Sequence, residues 1–437
     1  MAPGGILSAS DAEILVCTLG TRGDILPFLA LCTPFIRKGH RVTVLTNRNW
    51  KDLVENIGAE FHEIAGQDLS QSGRDDKAFY RSSTFPSFSR SFSFIRQKAV
   101  TNPRCAVIYR FNMLGAECAA RKFQLPSIKV ALQPSVIRSA ERPPWPLTRL
   151  VHGPLAGLAK KVIVPAVYKI GEIAAEYREY TNSFLNEVGF ERLALGSRLE
   201  TEDLFLVLCP DWFAMPQKDW PDRSRLTGFL FLDGDQQDDE LEAFVSANGP
   251  PLVFTPGTGV SEVEAFFERA TSLCLALSMA GVFLSPVLRH NGTRWPERIL
   301  ARDHAELHWL LPRSRMLVHH GGIGSTAQAI RAGIPQLVLP DRFDQPDNAL
   351  RVAILGLGGA VFSRDPDLSE LTEMIRNILV SATVERQVQT GAALVRAHPS
   401  RDLAHQMICA VMDRYFRTGA ISPTAQASRR ATTELLS

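Results

Sequence analysis

Residues 319–345 (HHGGIGSTAQAIRAGIPQLVLPDRFDQ) bring imidazoles, glycines, a hydroxyl, a carboxylate and a carboxamide together in an order that suits an anionic ligand. Gly321, Gly322 and Gly324 let the backbone approach a ligand with no Cβ in the way. Ser325 is a favoured N-cap, residues 326–332 continue as helix, and Gly333 ends it before Pro335. Backbone N–H groups and the positive end of the helix dipole then converge on one point, which favours a phosphate. His320 stands where its imidazole could donate to a phosphate oxygen. Asp344 and Gln345 offer acceptors and an amide to polyol hydroxyls. A diphosphate and a sugar in one ligand would satisfy both halves of the stretch.

The elements that must position these groups alternate in βαβ fashion. Residues 315–318 read as a strand into the glycine turn, and residues 337–340 as the next strand, followed by a polar loop that carries Asp344 and Gln345. A second unit of this kind opens the chain: a strand over residues 13–19, the turn GTRGD, a helix over 26–38 closed by Gly39, and a strand over 41–46. The rhythm continues with a helix over 51–57, strands over 60–64 and 106–108, a helix over 115–123 and a strand over 127–130. The first turn is not GxGxxG, and no acid follows the second strand where a dinucleotide ribose would need one, which argues against a nicotinamide site. GTRGD places Asp24 at the carboxyl edge of a parallel sheet; the residue type suits an N-cap as well as a general base.

The segment 319–345 resembles the donor-binding signature of the nucleotide-sugar glycosyltransferase superfamily, which includes plant, antibiotic and sterol glucosyltransferases and the rhamnolipid rhamnosyltransferase. The family's histidine falls on His320, its small residue and hydroxyl on Gly324 and Ser325, and its acid–glutamine pair on Asp344 and Gln345. The ribose-binding acid of the plant enzymes falls on Gln328. GTRGD and Pro27 resemble the G-x-R-G-D-x-x-P loop of the antibiotic and sterol enzymes, so the resemblance implies Asp24 as catalytic base, with Gly20, Arg22 and Gly23 shaping the loop. Gly257 and Thr258, in PLVFTPGTG, match the family's first C-terminal-domain loop. The usual W-x-P-Q base platform is replaced by ARDHAELHWLLP, where His304 is the candidate to meet the base; Trp309 reads as core and His308 as helix surface.

The resemblance implies an α/β chain of the glycosyltransferase B fold, two Rossmann-like parallel-sheet domains facing a cleft. The N-terminal acceptor domain is expected over 1–235 and the donor domain over 236–417. The last helix, over 405–416, is expected to cross back to the first domain, and 418–437 to form a disordered tail. Asp233-Gly234-Asp235 reads as linker rather than a metal-binding DxD, and no metal or other cofactor is expected beyond a UDP- or dTDP-sugar donor. The implied reaction is inverting transfer of a hexose, glucose or rhamnose, to a hydroxyl of a lipophilic acceptor. A nucleotide-sugar epimerase and a catalytically silent partner protein that binds nucleotide sugars are the competing readings.

Composition agrees with a globular enzyme: 45% apolar and 22% charged residues over 437, with a net charge of +2 that argues against bulk nucleic-acid binding. Seven scattered cysteines form no CxxC and read as reduced thiols. The first residues lack a signal-peptide pattern and no apolar run is long enough to span a bilayer, so a cytoplasmic protein is expected. The basic, apolar stretch 133–175, with Trp145, Leu150, Leu155, Lys160 and Lys161, admits two readings. It either packs on the domain core or lies peripherally on the inner membrane face.

Overall fold

The computed structural model describes residues 12–65, 84–102, 104–144, 146–152, 156–164, 166–167, 175–192, 202–234, 238–257, 263–288, 294–363 and 365–418. The chain divides into two compact units. The first holds Met1–Pro143, Leu147–Phe231 and Pro399–Ser437; the second holds Leu232–His398 with Pro144–Pro146.

The first unit is built on a seven-stranded parallel sheet in the order β3-β2-β1-β4-β5-β6-β7. Its strands are β1 (Glu13–Cys17), β2 (Val42–Asn47), β3 (Glu60–Ala65), β4 (Cys105–Arg110), β5 (Ser127–Ala131), β6 (Leu204–Val207) and β7 (Ser224–Leu226). The second sheet has six parallel strands in the order β10-β9-β8-β11-β12-β13. These are β8 (Leu252–Thr255), β9 (Gly281–Leu284), β10 (Ile299–Arg302), β11 (Met316–His319), β12 (Gln336–Val338) and β13 (Gly358–Ala360). Runs such as EILVC and MLVH are buried end to end, as strands must be when helices cover both faces of a sheet. The short β7 and β10 have no counterpart in the sequence reading; at three and four residues they carry too little periodicity to stand out.

Each sheet reverses its winding once. In the first, β1 lies between β2 and β4; in the second, β8 lies between β9 and β11. Such switch points leave a crevice outside the carboxyl ends of the two central strands, where open α/β sheets bind ligands. The loops after β1 and β4, and those after β8 and β11, are therefore the places to look.

The final helix, Ser400–Thr418, packs on the first unit. His405 meets the Phe35 ring edge-on at 4.5 Å and Lys38 Nζ at 2.8 Å, and the Tyr415 hydroxyl donates to Asp203 Oδ2 at 2.8 Å. Within the basic stretch, Val151, Ala159 and Val164 form a small core and Lys160 pairs with Glu141 at 2.6 Å, whereas Leu158 and Val162 are exposed. Trp145, Leu155, Asp235, Thr258 and residues 419–437 lie outside the described residues. No described helix is long and apolar enough to cross a membrane.

Candidate functional site

In the second unit the switch point is lined by the end of β8, Thr255-Pro256-Gly257, and the end of β11, His319-His320-Gly321. Thr255 and His319 are paired in register, so the residues that follow them emerge side by side. Gly257 takes φ +81° and Gly321 φ +92°, a region that costs most side chains dearly. A Cβ on Gly257 would fall 2.5 Å from His320 Cε1, and one on Gly322 2.6 Å from His320 Nε2. The His320 imidazole thus occupies a slot between two glycine backbones.

Burial holds His320 down to about 4, with only the Thr255 backbone working the other way. The ring is neutral at neutral pH, one nitrogen donating and the other accepting. No hydrogen bond from the described residues closes on its buried Nδ1. His319 is a partner of different kind. It is fully buried, accepts the Gly321 N–H on Nδ1 at 3.1 Å, and so carries its proton on Nε2, which donates to Gln336 Oε1 at 2.9 Å. Burial first, then His320, lowers His319 to about 3, against the pull of the Gln336 bond. Above about pH 6.5 the folded and unfolded chains both hold His319 neutral. Below it the unfolded chain binds a proton that the fold refuses, so stability declines as pH falls towards 3. At pH 4 the loss from this group should be on the order of 3 kcal/mol. Melting curves from pH 7 to 4 should therefore fall less steeply for His319→Gln than for the wild type; parallel curves would remove His319 as the source.

The helix after the turn spans Ile323–Ala332 with Gly322 as N-cap, so Ser325 sits in its first turn instead of capping it. The Gly321 conformation delivers the chain into helix three residues earlier than the residue types suggest. The N–H groups of Gly322, Ile323, Gly324 and Ser325 have no hydrogen-bond acceptor among the described residues, as expected of a helix start awaiting an anion. Gly333 ends the helix at φ 72° in the left-handed region. Gln328 lies on the turn following Gly324 and Ser325, and its buried Oε1 has no partner among the described residues. An orphaned acceptor costs about 1–3 kcal/mol, which a ligand hydroxyl would relieve. In the last turn Arg331 grips Asp233 through two bonds of 2.6 and 2.7 Å, which commits that carboxylate to the helix.

Asp344 and Gln345 do not lie in a loop. They are the N-cap and first residue of a helix, Gln345–Ile354, with Pro346 in its first turn, where a missing N–H is harmless. Gln345 Oε1 accepts from the N–H groups of Asp341 (2.9 Å) and Arg342 (3.1 Å), which leaves its amide N–H groups to donate outward. Asn348, fully buried and absent from the sequence reading, donates from Nδ2 to Asp344 Oδ2 at 2.8 Å and to Gly321 O at 2.9 Å. It ties the glycine turn to the acid–glutamine turn. Its spacing, one helical turn after Asp344, was the available signal. Gly257, His320, the helix start, Asp344 and Gln345 are thereby assembled at one edge of one sheet. His304 is not bound into this group. It follows the edge strand β10, with β9 and β8 between it and β11, and its Nε2 meets Glu306 Oε1 at 3.2 Å while His308 takes Oε2 of the same carboxylate at 3.4 Å. Trp309 packs against the core, with the Arg313 guanidinium 4.5 Å from its ring.

In the first unit the helix after β1 starts at Arg22, four residues earlier than its apolar spacing suggests, with Thr21 as N-cap. Asp24 is consequently the third helical residue. Its Oδ2 accepts the Thr21 N–H at 2.8 Å and the Thr21 hydroxyl at 3.1 Å, a capping box in which the carboxylate reaches backwards. Gly20 is at φ +139°, and a Cβ there would fall 2.2 Å from Asp24 Oδ2. Gly23 lies inside the first turn and Arg22 begins it. Arg110, the last residue of β4, was not singled out by sequence, yet its guanidinium meets Asp24 Oδ1 at 2.7 Å. The loops after β5 and β6 leave the same edge and are joined by Asp219, which accepts from Ser139 Oγ at 2.8 Å and the Ala140 N–H at 2.6 Å.

Residues 14–104 match the glycosyltransferase family 28 N-terminal domain, and residues 286–408 match the erythromycin biosynthesis protein CIII-like C-terminal domain. The chain is 26% identical over 400 residues to a sterol 3-beta-glucosyltransferase of Vanderwaltozyma polyspora, covering 85% of this chain and 32% of that protein. It is 27% identical over 412 residues to the O-mycaminosyltylonolide 6-deoxyallosyltransferase of Streptomyces fradiae, covering 88% and 92%. It spans about a third of the length of the sterol glucosyltransferases it matches. Among solved structures, the glycotransferase of kitacinnamycin is similar with a TM-score of 0.71 at 19% identity, over 92% of this chain and 99% of that one. VinC in complex with dTDP is similar with a TM-score of 0.65 at 18% identity, over 92% and 100%. These structural likenesses concern the fold.

Proposed function

The chain belongs to the nucleotide-sugar-dependent glycosyltransferases, and from that premise we propose that it is an inverting hexosyltransferase that moves glucose or rhamnose from a UDP- or dTDP-sugar to a hydroxyl of a lipophilic acceptor. The observation that carries the reading is the slot at the second switch point. A neutral, half-buried His320 and a run of helix N–H groups without an acceptor among the described residues face one place, beside an acid–glutamine turn held by Asn348.

In this mechanism Asp24 takes the proton of the acceptor hydroxyl as its oxygen bonds to the anomeric carbon. The bond from that carbon to the diphosphate oxygen breaks on the opposite face, and the nucleoside diphosphate leaves with the electron pair. His320 and the N–H groups from Gly322 to Ser325 stabilise the charge that develops on the diphosphate. Fixed dipoles do this work in the proposal, and no metal is needed. Asp344 and Gln345 orient the sugar hydroxyls, and Gln328 receives a ribose hydroxyl on its orphaned oxygen. The sterol and macrolide-type names of the relatives support a lipophilic acceptor, and the dTDP in VinC supports a dTDP donor beside the UDP alternative.

The reading is tested by a thermal-shift panel of UDP, dTDP and their sugars at millimolar concentration. A shift selective for one nucleotide is expected and would name the base. No shift with any of them would defeat the donor site, while a selective shift with no turnover on any acceptor would favour the silent partner protein.

A further inference from the structure

We propose that Arg110 is the positioning residue of Asp24, holding both the carboxylate and the loop that carries it; this rests on Asp24 being the base. β1 and β4 run side by side with Cys17 opposite Tyr109, so Arg110 stands next to the point where β1 gives way to its loop. One arm of its guanidinium meets Asp24 Oδ1 at 2.7 Å, and the other donates to Leu19 O at 2.6 Å. The next carbonyl, Gly20 O, accepts from Trp50 Nε1 at 3.1 Å. Two successive carbonyls of the loop are thus fixed from two different neighbours, and the guanidinium fork matches this divided task in a way an ammonium cannot.

The consequence is directional. Thr21 occupies Asp24 Oδ2 with two donors and Arg110 occupies one side of Oδ1. The remaining lone pair of Oδ1 is where the proton of an acceptor hydroxyl goes, as the acceptor oxygen bonds to the sugar and the diphosphate departs. The side chains of Arg110 and Asp24 are 13% and 21% exposed, so water screens their attraction only partly. Without Arg110, Oδ1 loses its anchor and Leu19 O its donor. A misplacement of about 1 Å costs on the order of 100-fold in rate.

The test compares wild type, Arg110→Met, Arg110→Lys, Asp24→Asn and the Asp24→Asn/Arg110→Met double variant. Release of UDP from UDP-glucose, or dTDP from dTDP-glucose, is followed with cholesterol in detergent micelles and with water alone as acceptor. Arg110→Met should lower kcat about 100-fold with donor KM and nucleotide thermal shift unchanged. Arg110→Lys should recover part of the loss, and the double variant should be no slower than Asp24→Asn alone. The proposal is overturned if Arg110→Met stays within about two-fold of wild type, or if its loss is undiminished on the Asp24→Asn background. A wild-type rate for Asp24→Asn defeats the base assignment and the proposal with it. An inactive Asp24→Asn beside an active Arg110→Met defeats the proposal alone. Should Arg110→Met fail to fold, Arg110→Lys on the two Asp24 backgrounds makes the same comparison.

Discussion

Asp24→Asn is expected to lower kcat by about 100- to 10,000-fold, the range that a positioned general base contributes. The substitution keeps the shape of the side chain, and the amide oxygen can still accept the Thr21 N–H that closes the capping box. What it removes is the ability to take a proton, and with it the charge opposite Arg110. The helix start should survive, and melting should move by only a few degrees. Donor KM and nucleotide thermal shifts should be unchanged, because the groups proposed to hold the nucleotide belong to the other unit. Steady-state kinetics with saturating donor decide the matter: turnover within a few-fold of wild type would remove Asp24 as the base.

The second large effect is expected at His320. His320→Ala takes away one donor of the slot and should cost about 100- to 1,000-fold in kcat/KM, the loss seen when a single charge-stabilising donor is removed. UDP or dTDP affinity should drop too, since in the proposed site the diphosphate meets the same group in substrate and product. Stability should change little, because one imidazole nitrogen is buried without a bond among the described residues. His319→Gln is the contrast: that ring bonds Gly321 and Gln336 and belongs to the scaffold. Calorimetric titration with the nucleotide that His320→Ala binds as tightly as wild type would rule out the slot as the diphosphate site.

The sequence reading and the structure part company where chain geometry acts over distance. Two alternating βαβ series were legible because buried parallel strands are unbroken apolar runs and glycines punctuate their helices, as at Gly39 and Gly333. Helix starts were less so. Asp24 and Ser325 are both good caps by type, yet both lie inside the first turn, because Thr21 and Gly322, each three residues earlier, already occupy the cap position. The helix Gln345–Ile354 was missed because Asp341 to Asp344 and Pro346 read as loop, although Pro in a first helical turn is no obstacle. His304 follows an edge strand that its sequence did not reveal, and its Nε2 meets the neighbouring Glu306.

What the residues determine by themselves is local: the glycine turn after β11, its helix, the left-handed stop at Gly333 and the GTRGD loop. Each depends on dihedral preferences and bonds between residues within a few positions of one another. That level already pointed to the ligand chemistry and to Asp24 as the proposed base. Tertiary structure alone decided who stands beside whom: Gly257 against His320, Asn348 between Asp344 and Gly321, and Arg110 against Asp24. Parallel strand register makes these neighbours, joining residues far apart in the chain. Register is set by the burial of whole sheets, and no short stretch of sequence records it.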